Sequence, residues 1–232
     1  MTNQLRMAIK QAFEYLDKKG TEIPFDIWLE TIKTGVFKAG GDDVTAIGAK
    51  YHDAVTATLL TYLEGGNIPV PRNQFKRAMI EAFGDAADLA WVDGGSEPPL
   101  DEDTLAWFNA RVEAELGYIN LLFEEAKQLR KDEEFDPLVW ASARADGYTA
   151  SVREVYNNVR LRAGKDMMVS FEGTDGKKDP CDTCQSLKGS RHKISWFVKR
   201  NFVPPHGSGL DCAKGGKCKH FLRSDSGERM TV

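Results

Sequence analysis

The chain has 232 residues, of which 41% are hydrophobic and 28% are charged, and its formal net charge at pH 7 is −4. Such values are ordinary for a soluble, folded protein, and the length allows one large or two small domains. No apolar run approaches the roughly 18 residues that cross a bilayer, and residues 1–10 lack the apolar core of a signal peptide. We therefore expect no membrane segment and a reducing cytoplasm as the place of folding.

Helices are the main structure that the first part of the sequence predicts. Apolar residues recur three and four positions apart throughout residues 1–165. One helix is expected at residues 5–16 and a shorter one from Pro24. A third is expected from about Asp43 to a stop at Gly65.

A fourth helix and a polar loop come next. Pro71 can serve as the first residue of this helix, which carries apolar side chains as far as Trp91. The polar segment 93–99 then interrupts the pattern. The body formed by residues 1–165 is therefore expected to be a helical bundle, either one domain or two subdomains divided near residues 93–99.

Two long helices are expected after this loop. Apolar residues from Leu105 to Leu129 follow an amphipathic pattern over about seven turns. The second helix opens at Asp136-Pro137, a cap residue followed by proline at the first helical position, and runs to Gly164.

The character of the sequence changes after Gly164. Residues 167–171 form the one segment that clearly predicts a strand, and the chain beyond them is rich in glycine, proline, lysine and serine. A segment of about 60 residues with this composition is too small and too polar to fold on apolar burial alone. We therefore predict a mainly α protein in which residues 166–232 form a small zinc-stapled C-terminal module with short strands.

The cysteines supply the main indication of chemistry. All four lie in the last quarter of the chain: Cys181, Cys184, Cys212 and Cys218. A C-x2-C pair followed by a second pair can present four thiolates to one tetrahedral zinc, in a closed structural site. His220, His206 and His192 lie near these cysteines, and any of them could replace one. The fourth ligand is left open between Cys218 and His220.

Other uses of the cysteines are less well supported. The C-x2-C pair follows no strand-to-helix unit of the thioredoxin kind, which argues against a redox role, whereas disulfides or unligated thiols stay as alternatives. A catalytic zinc needs an open position and a carboxylate base. We interpret Asp179, Asp182 and Asp211 as turn or solubilising residues. No Ser-His-Asp set and no phosphate-cradling glycine loop is present, so we expect no enzyme and no catalytic residues.

The C-terminal segment is basic. Residues 173–223 contain 11 Lys and Arg against 4 Asp, a local charge of +7, which leaves −11 for the rest of the chain. Four thiolates and one zinc would reduce the local charge to about +5. Such a segment could contact DNA or an acidic protein surface, or its lysines could simply keep a small module soluble.

Several residue groups from Ala143 onward form a recognisable pattern. The most specific is C-x2-C-x2-Leu-x-Gly, which spans residues 181–189. The other groups are Ala143-Arg144-Ala145-Asp146, Tyr156-Asn157, Arg162-Ala163-Gly164, Trp196-Phe197, Pro204-Pro205-His206-Gly207 and Cys212. Together they resemble the C-terminal part of phage head-morphogenesis proteins, the minor head protein family of the Mu F-like type.

This resemblance implies a structural virion protein of a tailed-phage head. Such a protein is present in few copies near the portal or the inner capsid wall, and it acts in head assembly or accompanies DNA ejection. The implied partners are the portal and the major capsid protein, and the implied locations are the virion and, during assembly, the host cytoplasm. The family commonly ends in His-Pro-x-Cys-Arg-Cys, whereas residues 210–220 read Leu-Asp-Cys-Ala-Lys-Gly-Gly-Lys-Cys-Lys-His.

Two alternative functions are suggested by the residues themselves. A nucleic-acid-binding zinc module would use Trp196 and Phe197 for stacking. The phosphate contacts would come from His192, Lys193, Lys199 and Arg200. A zinc-supported nuclease would use His192 or His206 as a base, but no Asp, Asn or His cluster accompanies them. The alternative interpretation, which we favour, is that Trp196 and Phe197 form a small core under the zinc.

Overall fold

The computed structural model describes residues 18–19, 43–97, 99–131, 134–173, 181–204, 209–211 and 220–231. The chain divides into two compact units. The first comprises Met1–Asp85 and Asp101–Thr149, and the second comprises Ala86–Leu100 and Ala150–Val232. The helices expected at residues 5–16 and from Pro24 lie outside the described residues.

Helix α1, Val44–Leu63, begins and ends where the sequence predicts. The Asp43 carboxylate accepts hydrogen bonds from the backbone N–H groups of Thr45 and Ala46, at 2.9 and 2.8 Å. This is the N-cap arrangement that satisfies the first free donors of a helix. Gly65 comes after the last turn with φ 122°, a conformation that glycine adopts at little cost.

Helix α2, Pro69–Asp93, begins two residues earlier than predicted. The expectation that Pro71 is the first residue of the helix is therefore wrong. Pro71 lies in the first turn, together with Pro69. Both prolines are tolerated there because the N–H groups of the first turn have no partner within the helix.

Helices α3, Glu102–Leu129, and α4, Pro137–Ala163, are the two long helices that the sequence predicts. The carboxylate of Asp101 accepts the backbone N–H of Thr104 at 2.8 Å and so caps α3. Asp136 caps α4 through Leu138 and Val139, whose N–H groups lie 3.0 and 3.1 Å from its Oδ1. The predicted start at Asp136-Pro137 is confirmed.

The first unit is a helical bundle with an aromatic core. Phe75 of α2 is fully buried and contacts rings from the other three helices. Its centroid lies 6.3 Å from that of Tyr51 in α1, 6.2 Å from Phe123 in α3 and 4.9 Å from Tyr148 in α4. The interplanar angles are 63–73°, the edge-to-face arrangement that aromatic quadrupoles favour.

The second unit contains a three-stranded antiparallel sheet with the order β2-β1-β3. Strand β1, Met168–Gly173, is central and covers most of the strand predicted at residues 167–171. It pairs with β2, Arg191–Lys193, and with β3, His220–Ser224. The protein is therefore mainly helical with a small antiparallel sheet.

Two six-residue helices, α5 at Asp182–Leu187 and α6 at Ile194–Lys199, complete the described part of the second unit. Its core includes Leu161, from the end of α4. The other fully packed residues are Val169, Phe171, Cys184, Leu187, Ile194, Phe197, Val198, Val203, Leu210 and Leu222. Apolar burial thus contributes more to this unit than the composition of residues 166–232 suggests.

Side chains of α4 also fix the C-terminal segment. Arg160 donates to the Glu228 carboxylate at 2.9 Å and to the Met230 carbonyl at 3.4 Å. The fully buried Asn157 donates to the Pro204 carbonyl at 3.4 Å. The second unit therefore includes residues on both sides of residue 165. The domain boundary expected there stays a prediction.

Helices that could cross a bilayer are absent from the described ranges, since none there is both long and apolar enough.

Candidate metal centre

Two of the predicted ligands, Cys181 and Cys184, lie at the start of α5. Cys181 is the N-cap residue, and its backbone carbonyl accepts the N–H of Gln185 at 2.9 Å while its thiol makes no capping bond. Cys184 is fully buried and Cys181 is partly exposed. Cys181 precedes the helix with an extended backbone and Cys184 lies in the first turn, so the two thiols are three positions apart at the start of α5.

The remainder of the C-x2-C-x2-Leu-x-Gly run has a clear role in this fold. Leu187 is buried in the core of the second unit. Gly189 has φ 76°, and its N–H donates to the carbonyl of Phe171 in β1 at 2.9 Å. A positive φ favours glycine, so the run specifies a short helix that ends against the sheet.

The cysteines lie in two segments, which we call the cysteine arms: Cys181 with α5, and the segment from Leu210 onward that contains Cys212 and Cys218. A hydrogen-bonded pair joins the first arm to the start of the second. Thr183 lies between the two cysteines, and its backbone N–H donates to Asp211 Oδ2 at 3.3 Å. Its side-chain hydroxyl donates to the same oxygen. Asp211 directly precedes Cys212 in the sequence.

His220 opens β3 and is largely buried. Its ring stacks on Phe171, with centroids 5.2 Å apart and an interplanar angle of 25°. Opposite it in the register is Gly173, where an added Cβ would lie 2.3 Å from the imidazole Cδ2. Burial, and secondarily the nearby ammonium of Lys188, lower the pKa of His220 and favour the neutral ring.

His192 and the predicted aromatic pair make ring contacts within the chain. His192 stacks on Trp196 with centroids 3.8 Å apart, and the Arg200 guanidinium lies 4.4 Å from the Trp196 ring centre. Phe197 is fully buried, and Trp196 packs against the same core. These contacts favour the core interpretation of the pair over a free stacking surface.

The remaining predicted ligands, Cys212, Cys218 and His206, lie outside the described residues. Within the described ranges, no three His, Cys, Asp or Glu side chains are grouped so that they could share a metal ion. Neither His192 nor His220 therefore forms a three-residue ligand set with Cys181 and Cys184. Of the predicted cysteine ligands, the described residues include Cys181 and Cys184.

Asp211 has a role that its local sequence does not indicate. It is expected to be a turn or solubilising residue, yet it accepts two hydrogen bonds from Thr183, 28 positions away in the sequence. Its position next to Cys212 is the one signal of such a role in the sequence. The contact itself depends on how the chain folds back and has no local pattern.

The other residues of the family resemblance make structural contacts. Arg144 pairs with Glu125, and Asp146 lies 3.3 Å from the His52 imidazole, both at exposed positions. Tyr156 donates to Asp93 Oδ2 at 2.6 Å. Burial, followed by this hydrogen bond, raises the pKa of Tyr156 to about 12.

No protein-family model, no curated protein and no solved structure is significantly similar to this chain.

Proposed function

We propose that the chain is a structural protein of a tailed-phage head, with a structural zinc site in its second unit and no enzymatic role. The observation that carries this proposal is the fold of residues 181–189. The positions that define the C-x2-C-x2-Leu-x-Gly run there are two thiols at the start of a short helix, a buried leucine, and a glycine with positive φ.

The donor chemistry fits zinc. Two thiols three positions apart at the start of a helix are a common half of a structural zinc site, and Cys212 and Cys218 would supply the other half. The Thr183–Asp211 contact supports this pairing, because it fixes the residue that precedes Cys212 beside α5. Four thiolates would leave no open position for a substrate.

An assembly role is supported by apolar residues that the first unit exposes. Tyr118 and Leu121 lie three residues apart on α3, and Leu138 and Val139 lie in the first turn of α4. Exposed apolar side chains at helical spacing present a surface that a partner protein can cover. The portal and the major capsid protein are the proposed partners.

The zinc part of the proposal is tested by native mass spectrometry of the full chain, purified without chelators. The wild type should carry one zinc. Cys181→Ser and Cys184→Ser should lose it, whereas Ser186→Ala, on the same helix, should keep it. A wild-type protein that binds no zinc would contradict the proposed site.

The fourth ligand is resolved by the same measurement on two further variants. If Cys218 is a ligand, Cys218→Ser loses the metal and His220→Ala retains it, and the opposite pattern assigns His220. Cobalt substitution gives an independent readout, because the intensity of the thiolate-to-cobalt absorption increases with the number of coordinated thiolates.

The assembly part is tested on purified particles from the strain that encodes the chain. Mass spectrometry should detect the protein at low copy number. Leu121→Lys should reduce its incorporation, and Asn120→Lys, which adds the same charge at the neighbouring exposed position, should not. Particles that lack the protein altogether would exclude a virion role.

A DNA-binding role would have to be demonstrated separately. If the basic C-terminal segment served mainly to bind DNA, affinity measured by fluorescence anisotropy would fall steeply with salt, in proportion to the phosphates contacted. We expect weak or no binding by the isolated protein. Tight, salt-dependent binding would favour the nucleic-acid-binding alternative.

A further inference from the structure

Thr183 lies between two proposed ligands, and Asp211 lies next to a third. Their hydrogen bonds connect the short helix that carries Cys181 and Cys184 to the chain segment that leads into Cys212. Both donors of Thr183, the backbone N–H and the hydroxyl, reach the same carboxylate oxygen of Asp211. The apolar core also joins the two arms, since Leu187 and Leu210 belong to one cluster.

We infer that Thr183 and Asp211 are positioning residues of the metal site, which hold the two cysteine arms together without binding the metal. The inference rests on the proposed zinc site. A tetrahedral site must bring ligands from both arms to one point, and a polar contact that already joins the arms lowers the entropic cost of doing so. The pair would therefore increase metal affinity. It would contribute little to the stability of the metal-free fold.

The location of the pair supports a local role. Thr183 is partly exposed and Asp211 is exposed, so neither side chain fills the core. Removing an exposed hydrogen bond should have little effect on the folding of the metal-free protein. The same change next to metal ligands can reduce metal affinity by about tenfold or more.

The test measures zinc dissociation constants of the full chain by competition with a chelator of known affinity. Thr183→Val removes the hydroxyl but keeps the size of the side chain, and Asp211→Ala removes the acceptor. Each should weaken zinc binding by about tenfold. The thermal unfolding midpoint of the metal-free protein should change little in either variant.

Two matched variants provide controls. Thr183→Ser keeps the hydroxyl and should bind zinc like the wild type. Asp182→Ala removes the same charge as Asp211→Ala from the neighbouring exposed position, without breaking the contact to Thr183. It should leave the affinity within a factor of about two of the wild type, since an exposed charge contributes little.

A double variant gives the sharpest result. Because Thr183 and Asp211 take part in the same contact, Thr183→Val combined with Asp211→Ala should weaken zinc binding no more than the stronger single variant. If the wild type binds zinc and these variants bind it equally well, the positioning role is wrong and the metal site stands. If the wild type binds no zinc, the proposed function and this inference both fail.

Discussion

At the scale of single residues, Gly173 marks a close approach between two strands. The imidazole of His220 occupies the space where any other residue would place its Cβ, and this ring is itself stacked on Phe171. The ring cannot move away without losing that contact. A side chain at position 173 must therefore distort the end of the β1–β3 pair, where Gly173 lies opposite His220.

We expect Gly173→Ala to destabilise the protein by about 1–3 kcal/mol, as overpacking typically does. Denaturant unfolding monitored by circular dichroism measures the change. Gly147→Ala is the matched control, since nothing lies within 4 Å of its added Cβ and it lies within α4. The control should be stabilising by up to about 1 kcal/mol, and equal effects at both positions would contradict this explanation.

Single residues also show why helix ends were predictable. The caps at Asp43 and Asp136 act on N–H groups two or three positions away, so the sequence contains the whole interaction. The start of α2 was misplaced because both Pro69 and Pro71 are acceptable in a first turn, and local preference does not distinguish them.

At the scale of elements, α6 depends on an aspartate outside the helix. Asp166 accepts the backbone N–H of Ser195 at 2.9 Å and its hydroxyl at 3.0 Å, with the Lys193 ammonium 3.7 Å away. These hydrogen bonds, and secondarily the nearby charge, lower the pKa of Asp166. The ionised carboxylate is thus the form that the fold stabilises.

The sign of the pH effect is set by this shift. A carboxyl group with a lowered pKa contributes its stability above its unfolded pKa, about 3.9, and loses it as the pH falls through the folded value. Asp166→Asn should therefore reduce stability at pH 7 by a few tenths of a kcal/mol (roughly 0.3–0.5), because the amide oxygen can keep one of the two hydrogen bonds and solvent screens the exposed carboxylate. The difference from the wild type should shrink below about pH 4. A difference that is unchanged at pH 3, measured by urea unfolding, would rule out the carboxylate as the cause.

Pairing between distant elements was the part of the fold that the sequence did not reveal. Strand β1 was predicted from its own residues, whereas β3 is a short strand that pairs with a segment about 50 positions earlier. The same limit applies to the candidate site. The C-x2-C pair is a local signal, while the contact between Thr183 and Asp211 is formed only by the folded chain.

At the scale of the whole molecule, the second unit depends on the end of α4. Leu161 belongs to its core, and Asn157 and Arg160 hold later segments by hydrogen bonds. A fragment that starts at residue 166 lacks all three side chains. It would have to replace their contacts through the metal and the remaining core alone.

We therefore expect residues 166–232 alone to be poorly folded, even with zinc. Loss of buried Leu161 alone should cost about 2–5 kcal/mol, a large part of the stability of a small unit. The dispersion of amide signals in NMR spectra of the fragment measures this. In the full chain, Leu161→Ala should be strongly destabilising and the exposed Leu138→Ala nearly neutral. A well-dispersed fragment spectrum would show that α4 is dispensable.

The pairing of Gly173 with His220 couples the formation of the sheet to the proposed binding of metal. All four cysteines lie between these two residues in the sequence, so the antiparallel pairing of β1 with β3 closes a loop that contains the whole proposed metal site. An ion bound by both cysteine arms would shorten this loop, and each halving of loop length lowers the closure cost by about 0.6 kcal/mol. Strand pairing and metal binding would thus promote each other, even though no proposed cysteine ligand lies in the sheet.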